Sequence, residues 1–364
     1  MIKATIVADS LTPNGDRLSS LLITFPRIIL AELNTHRMLS KNSASSRAIP
    51  FEKMVKSVQE NPFIPIAWQK EHKGMQGSEY LVDRKHENAV YEWLKARDFA
   101  VKQANIMNSD GVTKQLCNRL LEPFMYHTVL ITGNVNNEAW LNFFDLRCPQ
   151  YEIPHTTFTE YKRSWKDVIK YIKENFVQEY QDNIENASLS ARLSQNKGLA
   201  EIHMMQLAEC IYDAVQESTP KQLEVGDWHI PFRDKIKITE NWDNALEVGL
   251  DKEKSIKDGV TELEIKISTS MCARTSYTIV GDEKEVSYEK HIELYEKLIN
   301  QKPLHASPME HCARVMSNEE YNTFVKGKCF YQEALNAHVP IGNSLGWCRN
   351  YKGFISLRHI LESE

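Results

Sequence analysis

Thr35-His36-Arg37-Met38-Leu39-Ser40-Lys41-Asn42-Ser43-Ala44-Ser45-Ser46-Arg47 concentrates two arginines, a histidine, an asparagine and four serines in one short stretch. Arg offers planar, permanently charged donors that suit phosphate, and Ser and Asn add short-range donors where backbone N–H groups also approach an anion. The stretch reads as a site for a phosphate-bearing ligand; a Ser-rich solvated loop with two incidental arginines is the alternative. It follows Pro26-Arg27-Ile28-Ile29-Leu30-Ala31-Glu32-Leu33, where Pro fits a first helical turn and the apolar spacing suits a buried helix. The cluster is therefore expected at a helix end running into a loop. Further upstream, Ala4 to Asp9 and Leu18 to Phe25 are β-rich runs joined by Thr12-Pro13-Asn14-Gly15-Asp16, a turn signal that predicts a hairpin feeding that helix.

Bulk properties bound the rest. The chain has 364 residues, 42% of them apolar, enough for one large or two ordinary domains with a sizeable core. A net charge of -5 gives no global basic field, so direct nucleic-acid binding is not expected. The opening Met1-Ile2-Lys3-Ala4-Thr5-Ile6-Val7 looks like a strand rather than a signal peptide, and no apolar run approaches a bilayer span, which predicts no membrane association and a cytoplasmic location. Seven scattered cysteines without a CxxC fit reduced thiols, and His305, His311 and Cys312, the tightest His/Cys grouping, lack the second ligand pair of a zinc site, so no metal is expected. There is no GxGxxG and no GxxxxGK[ST], so a dinucleotide would have to be held without a Rossmann turn or P-loop.

Helical patterning dominates beyond a loop-rich stretch from Asn61 to Gly77: Glu87 to Met107, Val112 to Leu121, Asn136 to Leu146, Ser164 to Tyr180, Leu199 to Val215, Thr261 to Thr275 and Tyr288 to Asn300. Phe232 to Asp258 is charged and weakly apolar, like a connection. The fold class predicted is α+β, helix-rich with a mixed or antiparallel sheet.

His36, Arg37, Ser40, Asn42, Ser45 and Arg47 keep the spacing of the pattern Arg-His-Arg-x-x-Ser-x-Asn-x-x-Ser-x-Arg, with Thr35 in place of its first Arg. That pattern is the signature of the flavin-dependent thymidylate synthases, which the chain resembles. Asn136, Asn142 and Arg147 are similar to the family's Asn-x-Arg-x-x-x-Asn/His-Phe-x-x-Leu-Arg helix, with Glu138 where the family has Arg, a reversal that argues for altered cofactor contacts. Arg119 to Pro123 resembles Arg-x-x-Leu-Pro, and Leu199-Ala200-Glu201-Ile202 resembles Ala-Gln-x-Glu-Ile, with Gln150-Tyr151-Glu152-Ile153 as a competing match. Ala273-Arg274-Thr275-Ser276 and His305-Ala306-Ser307-Pro308-Met309-Glu310-His311 resemble two elements that precede the signature in the family. Here they follow it by more than two hundred residues, a permuted order like that of relatives in bacteriophage genomes. Without that context Arg119 would be a surface helix residue, Arg147 a helix C-terminal cation favoured by the macrodipole, and His305 and His311 core histidines.

The resemblance implies a single composite domain in which residues 1–235 and 260–364 pack together, with an insertion at about 150–198 and a connection at about 236–258. It implies transfer of a one-carbon unit from methylenetetrahydrofolate to C5 of a pyrimidine deoxynucleotide monophosphate, dUMP to dTMP, with FAD as hydride carrier and NADPH as reductant. By the same resemblance Arg47, Arg119 and Arg147 take the nucleotide with Ser45 in support. His36, Arg37, Ser40, Asn42, Asn136, Asn142, Arg274 and Ser276 take the flavin. His305 and Arg147 stand nearest the chemistry, His305 on the flavin and folate side. A homotetramer with sites between subunits is implied too, and a host-cytoplasm location if the chain is phage-encoded. Two alternatives stand beside this: a dCMP or dUMP hydroxymethylase or methylase, and a non-catalytic nucleotide or flavin binder. Glu32 stands where the family has Gln; at the base edge its carboxylate would accept from the amino group of cytosine, whereas paired with an arginine it leaves uracil as the base. Cys148-Pro149 reverses the Pro-Cys order of the other thymidylate synthase class and is read as coincidence.

Overall fold

The computed structural model describes residues 1–73, 77, 79–153, 160–176, 184–238, 256–277, 286–326 and 344–363. Its longer strands are β1 (Lys3–Leu11), β2 (Arg17–Pro26), β3 (Ser40–Ser43) and β4 (Tyr126–Asn134). Short ones follow: β5 (Tyr151–Glu152), β6 (Tyr161–Lys162), β7 (Lys221–Gln222), β8 (Trp228–His229), β9 (Ala313–Val315), β10 (Trp347–Cys348), β11 (Tyr351–Lys352) and β12 (Phe354–Ser356). The helices are α1 (Leu30–Thr35), α2 (Phe51–Glu60), α3 (Asp83–Ser109), α4 (Lys114–Arg119), α5 (Glu138–Arg147), α6 (Trp165–Asn175), α7 (Leu189–Gln195), α8 (Ile202–Glu217), α9 (Ile256–Arg274), α10 (Tyr288–Ile299), α11 (Asn318–Thr323) and α12 (Leu357–Ser363). The fold is α+β. The helix expected to Tyr180 runs to Asn175, and 177–180 lie outside the described residues, as do 239–255 of the expected connection.

A five-stranded sheet in the order β3-β4-β2-β1-β7 organises the molecule, antiparallel except for the β1–β7 pair. The Asn14-Gly15 turn closes its hairpin, with Gly15 at φ +83°, a conformation glycine adopts without strain. Alternation along the strands then divides the side chains. Leu21, Ile23, Phe25, Val129 and Ile131 share one cluster with Trp140 and Phe143 of α5 and Met204, Leu207 and Ile211 of α8. Leu22 and Leu130 join Phe232 and Cys272 in another, where α9 packs. A register shift between Ile6 and Ala8 marks a bulge in β1, and the Val7 carbonyl there accepts from Phe232 N at 2.8 Å, tying the returning chain to the sheet.

The signature stretch differs from its expected form. α1 is short, the chain turns at His36 to Leu39, and Ser40 to Ser43 then form β3 against Thr132 to Val129 of β4 instead of a loop. The reason is long-range: β4 presents an edge that four residues of the stretch satisfy with main-chain hydrogen bonds, and a buried backbone needs such partners. The turn is seated by Gly133, where an added Cβ would come 2.5 Å from Leu39 Cδ2 and 3.3 Å from Trp140 Nε1, the latter donating to the Gly133 carbonyl at 3.0 Å. Gly133→Val is therefore expected to lose about 1–3 kcal/mol through overpacking and to displace Leu39; a denaturant midpoint equal to the parent's would contradict this close fit.

Residues of the 150–198 region make a small cluster of their own, Tyr151, Trp165, Val168, Ile172 and Ile184. It is anchored on α8 through Glu209, which accepts from Tyr151 Oη at 3.1 Å and from Trp165 N at 2.6 Å. Burial raises the pKa of Glu209, and of Asp213 one turn on. Among the described residues no helix is long and apolar enough to cross a membrane. The described cysteines form no disulfide, and burial pushes the Cys148 thiol far above its usual value, away from nucleophilic use.

Candidate functional site

Three of the singled-out residues meet although they come from separate motifs. Arg147, at the C-terminal end of α5, donates from Nε to His36 Nε2 at 3.0 Å and places Nη1 3.6 Å from Glu32 Oε2. α5 can hold Arg147 there because Trp140, Phe143 and Phe144 fix its inner face in the core, and Phe143 also meets the His36 ring edge-on at 4.9 Å. Burial, then the Arg147 and Lys41 charges, lower the His36 pKa to about 4. At neutral pH its Nε2 is therefore an acceptor. Glu32 Oε2 has no hydrogen-bond partner beyond this ion pair among the described residues.

Lys41 completes the group, and nothing in the spacing singled it out. Its ammonium donates to the carbonyls of His36 at 2.6 Å and Leu39 at 2.9 Å, closing the turn on itself. Burial lowers its pKa to about 8, with Glu310 acting in the opposite direction. Arg37 projects outward from this turn, and its carbonyl accepts from Asn350 Nδ2 at 3.2 Å.

At the other end of β3 lies a second group. Asn118 Nδ2, preceding Arg119, donates to the Ser46 and Ile49 carbonyls at 2.9 and 3.1 Å, and Lys114 Nζ reaches the Ala48 carbonyl at 3.2 Å. α4 thus backs onto the loop that carries Ser45 and Arg47. Arg47 and Arg119 are both exposed. The Ser45 hydroxyl accepts from Arg47 N at 3.3 Å, and Ser45 N donates to the Ser276 carbonyl at 3.1 Å. β3 alone separates the two groups by about 13 Å.

Between them the C-terminal part docks on β3. Asn42 donates from Nδ2 to the Cys272 carbonyl and to Thr275 Oγ1 at 2.9 Å, and accepts at Oδ1 from Ser307 Oγ at 3.2 Å. Its side chain thus joins three elements of the fold. Ser40 is buried in the sheet opposite Thr132. Arg274 donates from Nη2 to the Lys290 carbonyl at 3.2 Å, and His305 is exposed just before Ser307. Asn136 and Asn142 are exposed, Asn136 lying 3.5 Å from the Gly15 carbonyl. Glu138, where the resemblance has Arg, pairs with Lys326, whose ammonium also lies 4.4 Å from the Trp347 ring centre. Thr35 bonds back to the Glu32 carbonyl at 2.7 Å, an ordinary helix-end contact.

Next to Ser40 a chain of buried hydroxyls and histidines runs from β4 through β2 to β1. Ser20 Oγ lies 2.6 Å from Thr132 Oγ1 and 2.8 Å from His229 Nε2; His229 Nδ1 reaches Ser10 Oγ at 2.8 Å, and Thr132 Oγ1 reaches His311 Nδ1 at 2.8 Å. Burial lowers the pKa of His229 to about 4 and that of His311 to about 3. His127, beside Ser43 at 2.7 Å and Arg27 at 3.3 Å, is lowered to about 3, by burial and then by Arg27. These are core histidines held neutral; His311 takes the core role that its residues alone suggest, whereas His127 and His229 stand alone in the sequence with nothing to mark them. An open depression of about 870 Å³ along α3 from Leu81 to Glu92 shares no residue with either group. Among the described residues no three His, Cys, Asp or Glu side chains gather as a metal site.

No protein-family model matches the chain, and no curated protein matches it. Among solved structures, the UMP/dUMP methylase PolB from Streptomyces cacaoi bound with 5-Br dUMP is 16% identical over 43% of this chain, with a TM-score of 0.31. The chain spans 63% of that protein's length, under two thirds. The same methylase bound with 5-Br UMP gives 14% identity, 48% of this chain, 87% of that chain and a TM-score of 0.32. Superpositions at this level carry no argument about a shared activity.

Proposed function

We propose that the chain is an enzyme that transfers a one-carbon unit to C5 of a pyrimidine deoxynucleotide monophosphate, dUMP to dTMP, with a flavin as hydride carrier. The observation that supports this most is the meeting of Arg147, His36 and Glu32, which belong to two sequence patterns about a hundred residues apart. A fixed guanidinium with an acceptor on each side is suited to one polar, anionic ligand that exchanges for the Glu32 carboxylate. Because Glu32 faces Arg147, uracil is the base in this reading.

In this reading exposed Arg37, Asn136 and Asn142 contact FAD, whereas buried Asn42 acts through the elements that its amide ties together. Bound there, FAD would supply hydride transfer, and methylenetetrahydrofolate and NADPH the carbon and the electrons. The protein's task is then to orient and to exclude water. Arg47 and Arg119 stand at the far end of β3 from Arg147, so in this reading one site joins the Arg147 end of one copy to the Arg47 end of another.

Mixed assemblies test both statements. Arg47→Ala and Arg147→Ala are each expected to bind dUMP at least tenfold more weakly in equilibrium dialysis, and to regain part of the binding when refolded together. Mass spectrometry of the product from dUMP or dCMP, with FAD, methylenetetrahydrofolate and NADPH, reads the reaction. No flavin bound at saturating FAD, or no change in mass of either nucleotide, would refute the proposal.

A further inference from the structure

β3 is an edge strand, paired with β4 on one side only among the described residues. A lysine on such a strand ordinarily points into water and guards the edge. Lys41 does otherwise. Strand alternation sends Ser40 and Asn42 to the buried face and Lys41 to the other, and there its half-buried side chain curls back over the chain that precedes it. Its ammonium donates to the His36 carbonyl at 2.6 Å and to the Leu39 carbonyl at 2.9 Å, the first and last residues of the turn.

The main chain of this turn holds itself weakly. Leu39 N lies 3.3 Å from the His36 carbonyl, and His36 N lies 3.3 Å from that of Leu33, both longer than the usual N–H···O separation of about 2.9–3.0 Å. A charged donor makes a hydrogen bond roughly twice as strong as a neutral one. The Lys41 ammonium therefore does more than the backbone to fix the shape of the turn. Asn350 adds one bond from outside, Nδ2 to the Arg37 carbonyl at 3.2 Å.

What the turn carries is the His36 ring. Arg147 Nε donates to His36 Nε2 at 3.0 Å, so the direction of the guanidinium depends on where that ring sits and on its being neutral. Lys41 acts on both. Its bonds place the His36 main chain, and its charge joins burial, the largest cause, and Arg147 in lowering the ring's pKa to about 4. Glu310, on the helical turn Ser307–Glu310, attracts the ammonium but is paired with Arg358, and Glu32 of α1 faces Arg147 of α5.

We propose that Lys41 is the positioning residue of the Arg147 site: its ammonium keeps the His36–Leu39 turn closed and so aims, through the His36 ring, the guanidinium that meets an anionic ligand. Only the identity of that ligand, a pyrimidine nucleotide, rests on the proposed function. Burial brings the Lys41 pKa down to about 8, so a cation closes the turn at neutral pH and a neutral amine, the weaker donor, closes it in mild alkali. The site is thus sensitive to pH at its alkaline end, which an arginine at this position would not make it.

Proton NMR of the His36 ring in the full chain, followed from about pH 9.5 down to about pH 5, is the test. The parent is expected to show a step near pH 8 that reports the Lys41 ammonium. Lys41→Arg keeps the charge and does not titrate in this range, so it is expected to remove that step and to leave the onset of the ring's own protonation where it was. Lys41→Met is expected to remove the step and to bring that onset to higher pH, because a cation beside the ring is gone. In equilibrium dialysis at neutral pH, Lys41→Met is expected to bind dUMP about tenfold more weakly than the parent, and Lys41→Arg to recover most of that loss. A parent without the step near pH 8, a Lys41→Met chain whose His36 titrates as in the parent, or a Lys41→Arg chain that binds as weakly as Lys41→Met would overturn the proposal. The first of these readouts needs no variant, so misfolding cannot mask it. A parent that shows the step and binds no nucleotide would instead refute the nucleotide reading alone.

Discussion

Between pH 6.5 and about 4 the protein is expected to lose most of its stability, because buried histidines must gain protons to do what the unfolded chain does freely. His127, His229 and His311 are buried, with pKa values lowered to about 3, 4 and 3 against an ordinary value near 6.5. The unfolded chain binds more protons in this window, so stability rises with pH. The contribution is fully present above pH 6.5 and is lost as pH falls toward the folded values. At pH 5 each such group costs about 2 kcal/mol by linkage, and a domain has roughly 5–15 kcal/mol in all. His36 and His291, both lowered to about 4, act in the same direction. Raised Glu209 and Asp213 oppose them, since their neutral forms favour the fold in acid. Urea midpoints from pH 7.5 to 4.5 read the net slope. His311→Asn, which keeps a polar group beside Thr132, is expected to flatten it by about one proton, and a midpoint independent of pH would contradict the neutral assignment.

Arg147→Met is expected to weaken dUMP binding by about a hundredfold, since two charge-assisted hydrogen bonds at roughly 1.5–3 kcal/mol each would be lost and partly replaced by water. The same variant is expected to raise the pKa of His36 from about 4, because the guanidinium is the largest charge acting on it after burial itself. Proton NMR titration of the His36 ring checks this without any ligand. An unmoved His36 would place Arg147 elsewhere in solution, whereas a moved His36 with unchanged dUMP binding would sink only the nucleotide role.

The legible parts of the fold were the local ones. The Asn14-Gly15 turn, the hairpin it closes and the amphipathic course of α3, α8 and α10 are written in residues near one another. β4 was not, because a central strand covered on both faces reads as Thr128-Val129-Leu130-Ile131-Thr132 without alternation. Without β4, nothing in the sequence shows that Ser40 to Ser43 have an edge to join, so the stretch reads as a loop. α2 was hidden behind Pro50, a start signal masked by the loop that follows. At the site, spacing named Arg147 and His36 but not that they touch, and Lys41 was invisible because its partners are carbonyls. Glu138 looked like a departure demanding a changed cofactor contact, and the distant Lys326 that pairs with it leaves that local reversal balanced within the fold.

The position of β4 has a consequence for the newly made chain. Among the described residues β3 pairs only with β4, and β4 begins more than eighty residues after β3 ends. Until residue 134 has left the ribosome, the signature stretch has no strand to join, and its asparagine waits longer still for Cys272, Thr275 and Ser307. Synthesis at about 5–20 residues per second makes that interval many seconds. The stretch around β3 is therefore completed late in synthesis, and chains truncated before α9 lack every one of these partners of Asn42.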